Sequence, residues 1–222
     1  DWLLLTCSDD LEEGIRSLVL KDIATLYEIW CFIEVKNLVQ QLLGGEKVVV
    51  DNQSRMELNK HFTYSLAKGQ KSKVVFSRRT SEGDLVELAE VIYNPREVLG
   101  KSSTETSIDH TYSFTVPQKP DIVLQLTRRD VENGFKLTYL FDAKYRIGDT
   151  DIDGVDVPPD DAINQMHRYR DALYYDPKQE GLPIKKEVLG GYILFPGNGK
   201  DEDVENGHFY RSIERENIGA FP

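Results

Sequence analysis

"DIVLQLTRRDVENGFKLTYLFDAKYRI", residues 121–147, holds two strand-like runs joined across a turn. The first run is rich in Ile, Val, Leu and Thr. The second alternates Leu137, Tyr139 and Phe141 with other residues, the period of a half-buried strand. Between them "DVENG" is a hairpin signal. The second run ends on Asp142 and Lys144, which share one face, with Phe141, Ala143 and Tyr145 on the other. Asp121, just after Pro120, heads the first run. Opposed residues of an antiparallel pair point to the same side, so any even-length loop puts Asp121, Asp142 and Lys144 on a common face.

Register decides what that face can do. A two-residue turn at Asn133-Gly134 would pair Asp121 with Arg146 and leave Asp142 about 13 Å away along the strand. A loop over residues 130–133 would set Asp121 across from Asp142. Two carboxylates that share one Mg²⁺, each at about 2.1 Å, must stand within roughly 4 Å of each other. A metal site therefore needs the longer loop or a bulge. In that register Asp121 and Asp142 hold a divalent cation, and the carbonyl of Ala143 can join them. The cation polarises a phosphoryl oxygen and acidifies a water, while Lys144 orients that water or offsets developing charge. The competing reading is a solvated strand face with a cross-strand Asp–Lys pair, worth under about 1 kcal/mol. It is the stronger reading for an isolated Asp-x-Lys, and Asp121 behind Pro120 shifts the balance.

The 222 residues suggest one domain, or one with an added subdomain. At 40% apolar and 29% charged, the composition is that of a folded globular chain. No apolar stretch approaches a membrane span, and no signal peptide is visible. Cys7 and Cys31 cannot make a disulfide framework; Cys31, in an apolar run, reads as a buried thiol in a reducing, cytoplasmic setting. The chain opens at "DWLLL" without Met and stops at "GAFP", which reads as a piece of something longer. A net charge of −11 argues against a general polyanion binder, though a local basic groove or a cation-bearing site remains compatible with it.

Along the chain, a short helix is expected near residues 9–18. A long one follows over "KDIATLYEIWCFIEVKNLVQQLLGG", stopped at Gly44-Gly45. Residues 26–35 are apolar nearly all round, which marks a buried helix interrupted by Glu28 and Glu34. Strands are expected at "KVVV", "HFTYSL", "KVVFSRR", "LVELAEVIYN" and "HTYSFTV". "GDTDIDGVDVPPD" reads as a loop, "PDDAINQMHRYRDALYYD" as a helix with Asp160 or Asp161 near its start, and "VLGGYILFPG" as a strand. The tail after the "GNGKDEDVENGH" loop reads as short. The expected division is N-terminal helices over 1–45, a β-rich segment over 46–116 and a core over 117–222. The fold class is α/β, a mixed central sheet flanked by helices.

Two further constellations carry chemistry. Glu28 sits among Leu26, Tyr27, Ile29, Trp30, Cys31 and Phe32, and a buried carboxylate there needs a partner, a proton or a metal. Glu34, on the Tyr27–Trp30–Leu38 face, is its rival; either one is also placed to salt-bridge at the helix rim. Gln165 and Tyr169 share a helix face with Asp161, and Met166 lies on another stripe with Ile163 and Leu173. An amide and a phenol on one face suit a phosphate or support of Lys144; the plainer reading is a polar amphipathic face. His167, Arg168 and Arg170 make that helix locally basic. No Cys/His spacing suggests zinc, and no P-loop, dinucleotide fingerprint or nucleophile elbow is present.

The order Glu28, Pro120-Asp121, Asp142-Ala143-Lys144, Gln165-x-x-x-Tyr169 resembles the PD-(D/E)XK nuclease superfamily, with the restriction-endonuclease-like fold. The Gln-x-x-x-Tyr helix resembles its RecB-like branch. "LYEIWCF", "YNP", "KPDIVL", "FDAKYR", "INQMHRYRDA" and "LFPG" are similar to the nuclease domain of McrC-like proteins, from about residue 22 onward. The resemblance implies metal ligation by Asp121, Asp142 and Glu28, with Mg²⁺ as cofactor and Mn²⁺ as a substitute. It gives Lys144 the catalytic lysine role, and Gln165 and Tyr169 the helix motif. It implies DNA as substrate, an AAA+ GTPase or ATPase motor as partner, and a place in restriction and antiviral defence; a homodimer is a further expectation. The alternatives are a silent nuclease-like module that binds DNA or a partner, and an RNA-directed nuclease.

Overall fold

The 121–147 hairpin lies near the middle of a seven-stranded sheet. The structure, a computed structural model, describes residues 9–43, 48–52, 56–58, 64–66, 72–79, 85–95, 111–113, 118–128, 135–148, 156–175, 183–186, 188–197, 205 and 207–222. Its helices are α1 (Asp9–Leu42), α2 (Asp160–Ala172) and α3 (His208–Glu216). Its strands are β1 (Val48–Asn52), β2 (Met56–Leu58), β3 (Tyr64–Leu66), β4 (Lys73–Arg79), β5 (Leu85–Tyr93), β6 (Thr111–Ser113), β7 (Ile122–Arg128), β8 (Phe135–Ala143), β9 (Leu173–Tyr175), β10 (Val188–Leu194) and β11 (Ile218–Phe221). The order in the main sheet is β1-β4-β5-β7-β8-β10-β11. Pairing is antiparallel from β1 to β8 and parallel from β8 to β11, so the sheet is mixed as expected. Three strands of the 46–116 segment, β1, β4 and β5, are thus continuous with the sheet of the core. β2 pairs with β3 and β6 with β9, in two small separate sheets.

Helices cover both faces. Under α1, Cys31, Phe32, Val35 and Val39 pack on Val74, Phe76, Ala89, Val91, Tyr93 and Ile122. Their i, i+4 spacing makes one stripe, and each such side chain contributes roughly 1.5–3 kcal/mol on burial. Under α2, Ala162, Met166 and Tyr169 pack on Val123, Leu140 and Ile193. Gly191 makes that approach possible: a Cβ there would stand 3.1 Å from the Met166 sulfur. At Gly219 a Cβ would stand 2.1 Å from the Phe209 carbonyl oxygen, so glycine sets the seat of α3 on β11.

The register of the central hairpin is that of the longer loop. Arg128 pairs with Phe135 and Ile122 with Phe141, a register that sets Asp121 level with Asp142. The tight-turn reading of Asn133-Gly134 is overruled; the loop residues themselves lie outside the described residues. Midway along the hairpin, Gln125 and Thr138 are opposed and buried, with the Gln125 amide donating to the Thr138 hydroxyl at 3.3 Å.

Several expectations are corrected. The N-terminal helices are one helix, since no Pro or paired Gly interrupts residues 15–42. The stretch 26–35 is not buried all round: Leu26, Trp30 and Ile33 are exposed. Beside α1, over Phe141, Tyr192 and Leu194, lies an apolar cavity of about 510 Å³. The helix at 160 ends at Ala172, because Leu173–Tyr175 pairs with β6. Its start is as expected, with Asp160 and Asp161 in the first turn behind Pro159 at the cap position. The tail carries a helix and a sheet strand. No helix among the described residues is long and apolar enough to cross a membrane.

Candidate active site

The site forms where β7 begins and β8 ends. Alternation along both strands puts Ile122, Phe141 and Ala143 toward α1, and Val123 and Leu140 toward α2. Asp121 and Asp142 have the parity of the α2 side. Asp142 is buried; Asp121 keeps part of its surface accessible. An Asp121 oxygen accepts the Ala143 N–H at 2.8 Å, which ties it to the residue next to Asp142. The two carboxylates are within hydrogen-bonding reach of each other. The Asp121 carbonyl accepts the N–H of Asn94, whose φ of 41° is a left-handed conformation that Asn tolerates.

Lys144, just past the strand, forms an ion pair with Oδ2 of Asp142. That buried oxygen has no regular hydrogen bond among the described residues. Arg146 pairs with Asp161 and holds its carboxyl below the usual range. Glu28 approaches from α1: it accepts the Tyr93 hydroxyl at 3.4 Å, and its charge acts on Asp121. Glu34 lines the apolar cavity with Tyr27, Trp30 and Leu38, so of the two helix acids it is Glu28 that faces the aspartates.

From α2, the Gln165 amide donates to the Tyr169 hydroxyl, which donates to the Lys119 carbonyl at 3.0 Å. That carbonyl precedes Pro120-Asp121, so the helix fastens the backbone that presents Asp121. Tyr169 also joins the Met166 and Leu173 core, so the two stripes expected to be separate merge. Burial, with the Asp142 charge nearby, pushes the Tyr169 phenol up to about 12. His167, on the same helix, is half-buried.

Acid predominates at the site: Asp121 feels the charges of both Asp142 and Glu28, while Lys144 pairs with Asp142. Burial raises Asp121 well above the usual carboxylate range; the charges of Asp142 and Glu28 add to this, against Lys144 and the Ala143 N–H. Burial also raises Asp142, with Lys144, Asp121 and Arg146 opposing. Two buried carboxylates side by side favour a shared proton, or a cation in its place. The donor set, all oxygen, fits a hard divalent ion. Among the described residues no group of three or more His, Cys, Asp or Glu is close enough to hold a metal. Asp121 and Asp142 are the pair that could share such an ion, and the charge of Glu28 acts on Asp121.

Sequence reasoning missed Tyr93, Asn94 and Lys119. The first two belong to "YNP", a strand end before proline, whose Tyr hydroxyl and Asn N–H turn out to hold Glu28 and Asp121. Lys119 acts through its carbonyl, which no side-chain pattern could disclose.

A family model described as the PD-(D/E)XK nuclease superfamily matches residues 25–200. Comparison with curated proteins and with solved structures gave no match. Members of the superfamily are in general phosphodiester-cleaving nucleases and typically use divalent metal ions. Its match covers most of the chain, including every residue of the site just described, and the chain belongs to the PD-(D/E)XK nuclease superfamily.

Proposed function

We propose that this chain is a metal-dependent endodeoxyribonuclease, the cutting part of a restriction and defence system. The observation that supports the reading is the opposition of Asp121 and Asp142 with Lys144 against Asp142. A divalent cation at the two carboxylates, Mg²⁺ with Mn²⁺ as a substitute, would supply positive charge at the phosphoryl oxygen. Lys144 steadies the attacking water and donates to the oxygen on which charge develops. Water oxygen bonds to phosphorus, the phosphorus–oxygen bond to the leaving group breaks, and the proton passes to solvent. Glu28, held by Tyr93, adds negative charge beside Asp121. Gln165 and Tyr169 fix Asp121 through Lys119. The McrC-like resemblance extends the proposal to an AAA+ GTPase or ATPase motor partner, and a homodimer is proposed as the working form.

The test is plasmid DNA incubated with the chain and Mg²⁺ or Mn²⁺, beside Asp142→Ala and Lys144→Ala, with and without the motor subunit. Wild type cuts and both variants do not. Equal behaviour of all three in the presence of the motor would overturn the reading.

A further inference from the structure

Three aromatic side chains, in a row that begins at the residue after Lys144, have no part in that chemistry. The Lys144 N–H donates to the Leu194 carbonyl at 2.8 Å, and the Arg146 N–H donates back to the Lys144 carbonyl at 2.7 Å. The second bond closes a three-residue turn with Tyr145 at its tip. Tyr145 is 47% exposed. Its ring centre lies 5.5 Å from that of Tyr27, and Tyr27 stacks on Trp30 at 5.7 Å and 28°. Trp30, at the other end of the row, is 54% exposed. One end of the row is thus bonded to Lys144, and its middle member adjoins Glu28. Exposed aromatic faces in contact with one another, beside a reactive centre, mark a surface built to be covered.

We infer that Tyr145, Tyr27 and Trp30 form a stacking platform for a base of the strand being cut; this inference rests on the nuclease reading above. The platform carries no charge, so it engages bases and not phosphates, and it complements the cation and Lys144 on the neighbouring phosphate. A base within an intact duplex has both faces occupied by its neighbours. Stacking on the row therefore selects a single strand, an end, or a locally unstacked nucleotide.

The experiment uses Trp2→Phe, which leaves Trp30 as the remaining tryptophan of the chain. Its fluorescence is followed as a short mixed-sequence single strand, DNA in one arm and RNA in another, is added in Ca²⁺ and again in chelator. The same sequence as a blunt duplex is the comparison. The expected result is quenching by a single strand exceeding that by the duplex. Trp30→Ala and Tyr145→Ala, measured by anisotropy of the labelled strand, then weaken single-strand binding about tenfold, and Tyr145→Phe binds as wild type. No quenching in either buffer, or unchanged affinity in both folded alanine variants, overturns the platform. So does a variant that alters sedimentation and leaves nucleic-acid affinity intact, since the row would then be a protein contact. A chain that cuts plasmid without quenching loses the platform and keeps the nuclease reading. Quenching without cutting does the reverse.

Discussion

Asp121 stands directly across the β7–β8 ladder from Asp142, tied by its carboxylate to the Ala143 N–H at 2.8 Å. The placement is made by backbone register, so a side-chain change at either position removes a carboxylate and leaves the strands paired. Asp142→Asn, Asp121→Asn and Lys144→Ala should each lower plasmid cleavage by about 10²-fold or more. Thermal unfolding in the same buffer should show all three folded. Cleavage within about twofold of wild type in any of them would remove that residue from the chemistry.

Stability should depend on pH in a way that exposes the pair. Both aspartates are raised in the fold above their ordinary values. A group raised on folding contributes stability that is fully present below its unfolded pKa, near 3.9 for Asp, and is lost as pH rises through the folded value. Without metal, the pair's contribution therefore fades from acid toward neutral pH. Asp142→Asn, which lacks that ionisation, should gain on wild type as pH rises in chelator. Added Mn²⁺ should stabilise wild type more at neutral pH than in mild acid, and Asp142→Asn little. Melting curves in chelator and in Mn²⁺ across the range check both.

The helix acids should separate. Glu28→Gln should slow cleavage about tenfold, equivalent to about 1.4 kcal/mol, through its charge beside Asp121. Glu34→Gln, in the cavity wall, should leave the rate unchanged. Initial rates of the two variants in parallel decide it, and a reversed order would move the third acid to Glu34.

Tyr169→Phe keeps the buried ring and removes the hydroxyl that holds the Lys119 carbonyl. It should destabilise by about 1 kcal/mol, a drop of about 2–4 °C, and slow cleavage by loosening Asp121. Calorimetry and rate assays on one preparation read the two effects. Loss of rate with no loss of stability would assign the phenol to substrate contact.

Gly219→Ala should destabilise by about 1–3 kcal/mol, since the new methyl meets the Phe209 carbonyl and the Ile213 side chain. Chemical denaturation gives the value directly, and an unchanged midpoint would show that α3 shifts freely on β11.

Much of this was legible in residue order. Residue pattern marked β4, β5, β7, β8 and β10, and the pairing of β7 with β8 followed from the turn signal between them. Asp142 and Lys144 were visible as a polar pair on an apolar strand. What could not be read was anything set by contact at a distance. Asn133-Gly134 argued locally for the wrong register and lost to seven rungs of pairing between β7 and β8. Leu173–Tyr175 looked helical because nothing nearby announces β6 as a partner. The choice between Glu28 and Glu34 turned on Tyr93, sixty-five residues from Glu28 in sequence. Trp30 and Leu26 were expected inside, and α1 leaves them out because it crosses one side of the sheet.

The Gln125–Thr138 pair acts as a gauge block for the active centre. It sits four residues from Asp121, about 13 Å along the strand. A slip of two residues would keep every side chain on its proper face and so escape detection by hydrophobicity alone. Such a slip sets Gln125 against Leu140 or Lys136, strands a buried amide, and costs about 1–3 kcal/mol. The same slip sets Asp121 against Lys144 or Leu140. The alignment of the two aspartates is thus checked at a point that takes no part in cutting.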